Sequence, residues 1–438
     1  HITILKSIIT SDNNNKGLTE SSDGMLYLSR FAFGASFMTK KKSTIQMSQE
    51  EVHELEDEEE KDRGHLDRAM SPASKEKKRQ LSMALASLAM KPARRTKLIQ
   101  DGALQTIIEM SQLPDPVVRR ACAAAIASLS LNPESRGPML DAGMLSTLIF
   151  LASCPSKGTR FDSCAALCNL CCHPGSEPKA IKEGILMVIQ QVPHHCPEAL
   201  DSCLKICINL AAVHEKYSRI EDITEALMHF HSMNPDDHAE ELVLSAINNL
   251  SGLRANQFRL VEDGALKILS RTIESSDEHL RTLSADCVRN LSTCNRSRQK
   301  LIDNGFIATL VNLSEDSVDV VRRAAIQAFY HFAKDRTCRE KVVLAGGLQM
   351  ILRAARIRPD IAVGTLISKS LKAICADTSF HQDLVDSNVV EIIMNLLIVD
   401  SSMVKQYCVE CLTHMFELPK IAVLLTQKGA IGILVSVC

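Results

Sequence analysis

An all-α fold is predicted for this 438-residue sequence: a right-handed α-solenoid of three-helix repeats with a period of about 41 residues. Three observations predict it. Glycine-centred strings return at a fixed spacing, and a second string ending in Asn-Leu returns in the same register. The composition, 45% hydrophobic but only 4% aromatic and without Trp, leaves the core to Leu, Ile, Val, Ala, Met and Cys, a palette of helices more than of sheets. A chain this long could fill several ordinary domains, but a fixed internal period calls for an elongated array without one central core.

Residues 1–65 show no sustained apolar period; they hold Ser11-Asp-Asn-Asn-Asn, the triplet Lys40-Lys41-Lys42 and an acidic run from Glu50 to Asp62, and read as a disordered acidic region. That run could fold back onto a basic surface, although a plain solvated tail is the favoured reading. A partial capping repeat is expected over 66–95, eight full repeats over 96–424, and the start of a truncated ninth over 425–438. A solenoid end needs a polar cap, so either further sequence or a partner is expected beyond Cys438.

The glycine string appears as Leu98-Ile-Gln-Asp-Gly102-Ala-Leu, Met139-Leu-Asp-Ala-Gly143-Met-Leu, Leu260-Val-Glu-Asp-Gly264-Ala-Leu and Leu301-Ile-Asp-Asn-Gly305-Phe-Ile, with further copies at Gly184, Gly346 and Gly429. Ile223 and Asn388 stand at the glycine position in two copies. Glycine suits a corner where two helices meet because it tolerates φ above zero, so its role is structural. The polar turns before each third helix carry breakers such as Pro114-Asp115-Pro116 and Asn234-Pro235-Asp236. The third helices carry apolar sets such as Ala246, Ile247 and Leu250, which one repeat alone cannot bury and stacking can.

The second string reads Cys168-Asn169-Leu170, Ile208-Asn209-Leu210, Asn248-Asn249-Leu250 and Arg289-Asn290-Leu291, with His331 and His414 at the equivalent places downstream. In these two strings the chain resembles the armadillo family, from about residue 75 to 438. The resemblance implies non-catalytic binding of protein segments along the third helices, in the manner of β-catenin and general armadillo adaptors, with the recurrent Asn commonly facing bound peptide. An amide offers both donor and acceptor. Helix layers roughly 8–10 Å apart and two extended residues spanning roughly 6.6 Å let one ladder step serve about two peptide residues. The competing reading is that each Asn only fixes the stack.

Basic residues recur nine before the ladder: Arg119, Arg160, Arg281, Arg322 and Lys405, with Arg120 and Arg323 beside two of them. They read either as a positive rim for acidic segments of partners or as a solvated outer face, the latter favoured because nine residues lie half a helical turn from the Asn. The importin-α branch pairs its Asn with a Trp one turn earlier; the residues there are Ala165, Lys205, Ser245, Asp286 and Gln327, and Trp is absent, which argues against nuclear-transport adaptors of that type. The remaining alternatives are a structural arm of a ciliary or cytoskeletal assembly and the substrate arm of a larger ubiquitin ligase.

With 50 basic against 52 acidic residues, net charge −2, no global field points to nucleic acid or to an anionic membrane. No uncharged stretch is long enough for a membrane span. Sixteen cysteines set inside helical patterns suit a reducing compartment, cytoplasm with the nucleus as a second possibility. Cys164, Cys168 and Cys171 fall at i, i+4 and i+7, the spacing of a buried stripe rather than of a metal cluster. Neither catalytic templates nor cofactor motifs are found, so no enzyme activity, metal or cofactor is expected.

Overall fold

A computed structural model describes residues 72–212, 220–232, 236–357 and 359–437. Every regular element among them is helical. The acidic region expected over residues 1–65 lies outside the described residues. The chain forms two compact units, His1–Tyr217 and Ser218–Cys438.

In the first unit the long helices α1 (Pro72–Met90), α2 (Pro116–Ser130), α3 (Lys157–Cys171) and α4 (Leu200–Ala211) pack each on the next. The second unit repeats the device with α5 (Asp237–Ser251), α6 (Glu278–Ser292), α7 (Asp319–Lys334), α8 (Ile361–Cys375) and α9 (Ser402–Phe416). Pairs of shorter helices stand between them, such as Pro133–Asp141 with Met144–Ala152 and Asn295–Asp303 with Phe306–Leu313. The long helices are the third helices of the expected repeats. Small residues let them approach closely: in α2 the whole run from Ala121 to Ala127 is buried.

Local chemistry starts most of the long helices. Asp115 accepts from the Val117 and Val118 amides at 3.0 and 3.2 Å, with Pro116 supplying a preset φ at the first position. Asp236, Asp277 and Asp360 repeat the cap on α5, α6 and α8, and Ser156 and Ser401 replace the carboxylate on α3 and α9. The corner between the two short helices is also local. Gly305 stands there at φ 80°, and Asn388 takes φ 60° at the equivalent place, the one non-glycine residue with positive φ among those described. Asn tolerates this region better than most residues. Ile223 does not follow: it lies inside the continuous helix Ile220–Ser232, because a β-branched residue cannot take the left-handed corner. Gly305→Ala is expected to destabilise the second unit by about 1 kcal/mol, since nothing crowds the site and the cost is purely the backbone conformation. Urea unfolding of the two forms measures it, and no loss would mean that the corner relaxes.

One recurring feature closes six of the nine long helices at their other end. Six residues after the last residue of the helix, or close to it, a side-chain donor turns back onto the orphan carbonyls. Arg95 reaches Ala89 O at 3.0 Å, Arg136 reaches Ser130 O at 3.0 Å, and Gln257 reaches Ser251 O at 3.0 Å. Arg298 reaches Ser292 O at 2.8 Å, Arg339 reaches Ala333 O at 2.8 Å, and His381 Nε2 lies 2.7 Å from Cys375 O. Such carbonyls need partners when buried. Glu177 occupies this slot after α3, buried, with only acceptors to offer. Glu177→Gln copies Gln257 and is expected to stabilise the first unit by about 0.5–1 kcal/mol, a new hydrogen bond less the lost charge at a helix N-terminus. An unchanged or lower unfolding midpoint would show that the amide does not reach Cys171 O.

Candidate functional site

Most of the third helices leave one main stripe open. Taking the Asn-ladder residue as reference, the stripe comprises that residue and those one, four and eight before it. On α3 these are Asn169, Cys168, Ala165 and Phe161; on α4, Asn209, Ile208, Lys205 and Asp201. On α7 they are His331, Tyr330, Gln327 and Arg323; on α8, Ala373, Lys372, Lys369 and Thr365. Most remain half-exposed while residues on the other faces pack against neighbouring helices.

The ladder amides point along the stack. Asn169 Nδ2 donates to Ser130 Oγ of the preceding long helix at 3.0 Å, and the residue is buried. Asn209 Nδ2 lies 3.2 Å from Cys172 Sγ and 3.4 Å from Cys168 O. Asn290 Nδ2 donates to Ser251 Oγ at 3.0 Å and to Asn248 Oδ1 at 3.4 Å. In these three the donor half is committed to the neighbouring repeat. Asn249 sits half-exposed on the α5 stripe, and His414 lies 3.7 Å from Glu417.

The basic column is also engaged by the chain itself. Arg281 donates to Ser275 O and Ser276 O at 2.9 Å and pairs with Asp316 at 2.9 Å. Arg322 donates to Asp316 O at 2.6 Å and to Ser317 O at 3.0 Å, and pairs with Asp319 at 2.8 Å. Arg160 reaches His195 O at 3.5 Å, and Arg119 lies over the Phe150 ring at 5.0 Å. Neither a free rim nor a plain solvated face describes Arg281 and Arg322: their guanidinium groups tie the turn before the third helix to that helix, and Arg281 also reaches the next turn. The signal was present in the Ser and Asp residues of those turns, whose carbonyls a helix start leaves available.

His331 differs from the asparagines it aligns with. Its Nε2 is buried without a hydrogen-bond partner. Burial first, then the charges of Arg298, Lys334 and Arg289, push the imidazole down to about 4. The charged groups acting on it are Arg289 on α6, Arg298 on Asn295–Asp303 and Lys334 on its own helix. Because the folded value lies below the unfolded one of about 6.5, the contribution is complete above that pH and is lost as pH falls toward 4. Full burial would make this roughly 3 kcal/mol; the ring is partly exposed, and screening leaves about 1–2 kcal/mol. Urea unfolding at pH 7.5 and 4.5 should therefore show a smaller acid loss for His331→Gln than for the parent chain, and identical losses would remove His331 as the cause.

The cysteines are thiols throughout the described residues. Cys164 and Cys171 are buried as the spacing predicts, while Cys168 is half-exposed. Burial pushes the Cys122, Cys207 and Cys408 thiols up to about 12, where they behave as small apolar groups. No helix among the described residues is long and apolar enough to cross a membrane.

Residues 132–172 match the family described as Armadillo/beta-catenin-like repeat. The matched segment is one full period: Pro133–Asp141, Met144–Ala152 and α3. Among solved structures the chain is similar to an engineered protein crystallised by the Northeast Structural Genomics Consortium, at 19% identity over 77% of this chain and 95% of that one, with a TM-score of 0.59. At that identity the likeness is one of fold. No curated protein matches the chain significantly. Repeats of this family generally serve protein–protein interaction and are generally non-enzymatic.

Proposed function

We propose that this armadillo-type repeat chain is a non-catalytic adaptor whose units bind segments of other proteins along their third-helix stripes. One observation carries the reading: in each unit the stripes are the faces of the stacked long helices that remain open, with half-exposed polar and apolar groups repeating from helix to helix. A periodic row of this kind suits an extended or helical segment better than a small molecule. Asn169 and Asn209 serve it through the acceptor oxygens that their inter-repeat bonds leave, Asn249 and Asn290 through their places on the stripe, and His331 and His414 through their rings. Arg119, Arg160, Arg281 and Arg322 serve it indirectly, by fixing the turns from which the stripes start. Cytoplasm and nucleus are the compartments this reading favours.

The test is comparative capture with the full chain. Ser245→Arg and Gln327→Glu change half-exposed stripe residues, whereas Lys420→Glu changes a helix away from the stripes. Partners identified by mass spectrometry that are lost from the stripe variants and kept by Lys420→Glu support the reading, provided the melting temperatures agree. Partners kept by all three variants would overturn it.

A further inference from the structure

Among the described residues no group of three or more His, Cys, Asp or Glu side chains is gathered as a metal site, so the chain offers no closed four-ligand site of the structural-zinc kind there. The thiols are unevenly placed, however. All the described cysteines are buried except Cys168, Cys172 and Cys294. Two of these stand together: Cys168 lies in the last turn of α3, and Cys172 follows the last residue of that helix as its C-cap. Residues four apart share one face of a helix, with Cβ atoms roughly 5–6 Å apart, and Cys172 Sγ lies 3.3 Å from Cys168 O.

The surroundings of the pair suit sulfur in its anionic form. Asn209 on α4 points its amide across the repeat boundary, with Nδ2 3.2 Å from Cys172 Sγ and 3.4 Å from Cys168 O. A hydrogen bond donated to sulfur favours the thiolate. Lys205, one turn earlier on α4, favours the Cys168 thiolate by its charge. The opposing influences are the hydrogen bond between Cys172 and Cys168 first, then burial, then the charges of the neighbouring sulfurs; together they hold the Cys168 thiol well above its ordinary range. A cation shared by the two sulfurs removes that mutual opposition.

We propose that Cys168 and Cys172 form a two-coordinate site for Cu(I), reached from the open stripe of α3 and braced by Asn209. Soft thiolates select Cu(I), which two sulfurs can hold, where structural zinc asks for four ligands. Loading is an exchange without electron transfer: both S–H bonds break, two S–Cu bonds form, and two protons leave to solvent. The resulting bis-thiolate carries one negative charge, which the Lys205 ammonium offsets. This site goes beyond the segment-binding reading and does not depend on it.

The test loads the full chain anaerobically with Cu(I), supplied as its acetonitrile complex with ascorbate present, and separates protein-bound from free metal in competition with bicinchoninate. The expected result is a single Cu(I) retained per chain, lost from Cys168→Ser and from Cys172→Ser at matched melting temperature. Asn209→Leu is expected to weaken retention about tenfold, as for a group that orients a metal ligand, and Cys294→Ser to leave it unchanged. Zn(II) offered in place of Cu(I) is expected to wash off. A readout on the unaltered chain is independent of how the variants fold: Cu(I) should protect Cys168 and Cys172, and not Cys294, from alkylation by N-ethylmaleimide, followed by peptide mass spectrometry. Failure to retain copper, retention that survives either serine variant, equal retention of Zn(II), or protection of other cysteines instead would overturn the inference.

Discussion

Arg298→Met should cost the second unit about 3–5 kcal/mol, the range for removing one member of a buried charge network. The guanidinium is nearly inaccessible and fills all five donor positions: Ser292 O at 2.8 Å, Thr293 O at 3.4 Å, Asn295 Oδ1 at 2.5 Å, and Asp335 at 2.7 Å and 3.0 Å. Methionine keeps the stem's volume and removes the donors, so the loss reports polar pairing rather than a cavity. Asp335 would suffer most. Burial raises its carboxyl, but Thr337 and Arg298 together hold it below the usual carboxylate range, and it caps the helix Arg336–Leu344. Chemical denaturation followed by circular dichroism checks the value. A loss below about 1 kcal/mol would mean that water replaces the guanidinium and that the capping column is dispensable.

Phe332→Ala is expected to cost about 3–5 kcal/mol by leaving a cavity among stacked helices. The ring is fully buried in α7, close to Phe329, which is itself packed so tightly that a Cβ on Gly347 would lie 2.5 Å from its ring. Neighbours already in close contact cannot collapse into the space. Phe258 is the matched control: its ring is half-exposed under Arg296 at 3.7 Å, and Phe258→Ala should cost less than about 1.5 kcal/mol. Equal losses at the two positions would show that α7 repacks. The second unit's transition should be followed by more than one probe, because repeat arrays need not unfold in a single step.

Most of the repeat was readable because its signals are local. Gly102, Gly143 and Gly305 mark corners because a left-handed backbone excludes most side chains, and Asp115, Asp236 and Asp277 mark helix starts because an amide two or three residues on needs an acceptor. Asn388 kept its corner and Ile223 did not, by the same rule. The candidate site was only half legible. The ladder's register was visible in the sequence, but the direction of each amide was not, since Asn169 and Asn290 could as well have faced a ligand as Ser130 and Ser251. The capping column from Arg95 to His381 keeps the period while its residue type changes from Arg to Gln to His, which hid it from comparison of strings.

By itself, then, the sequence determined the all-helical class, the period and the register of the third helices, because each depends on contacts within one turn or one corner. Only the tertiary structure decided which polar groups are committed and which are left for a partner. Arg281 and Arg322 are engaged by turns, Asn209 by the preceding helix, and Lys369, among the described residues, by an aromatic face. Those partners lie up to a full repeat away in the chain, and a side chain's availability is set by what packing brings within about 3 Å of it, a distance that periodicity does not encode.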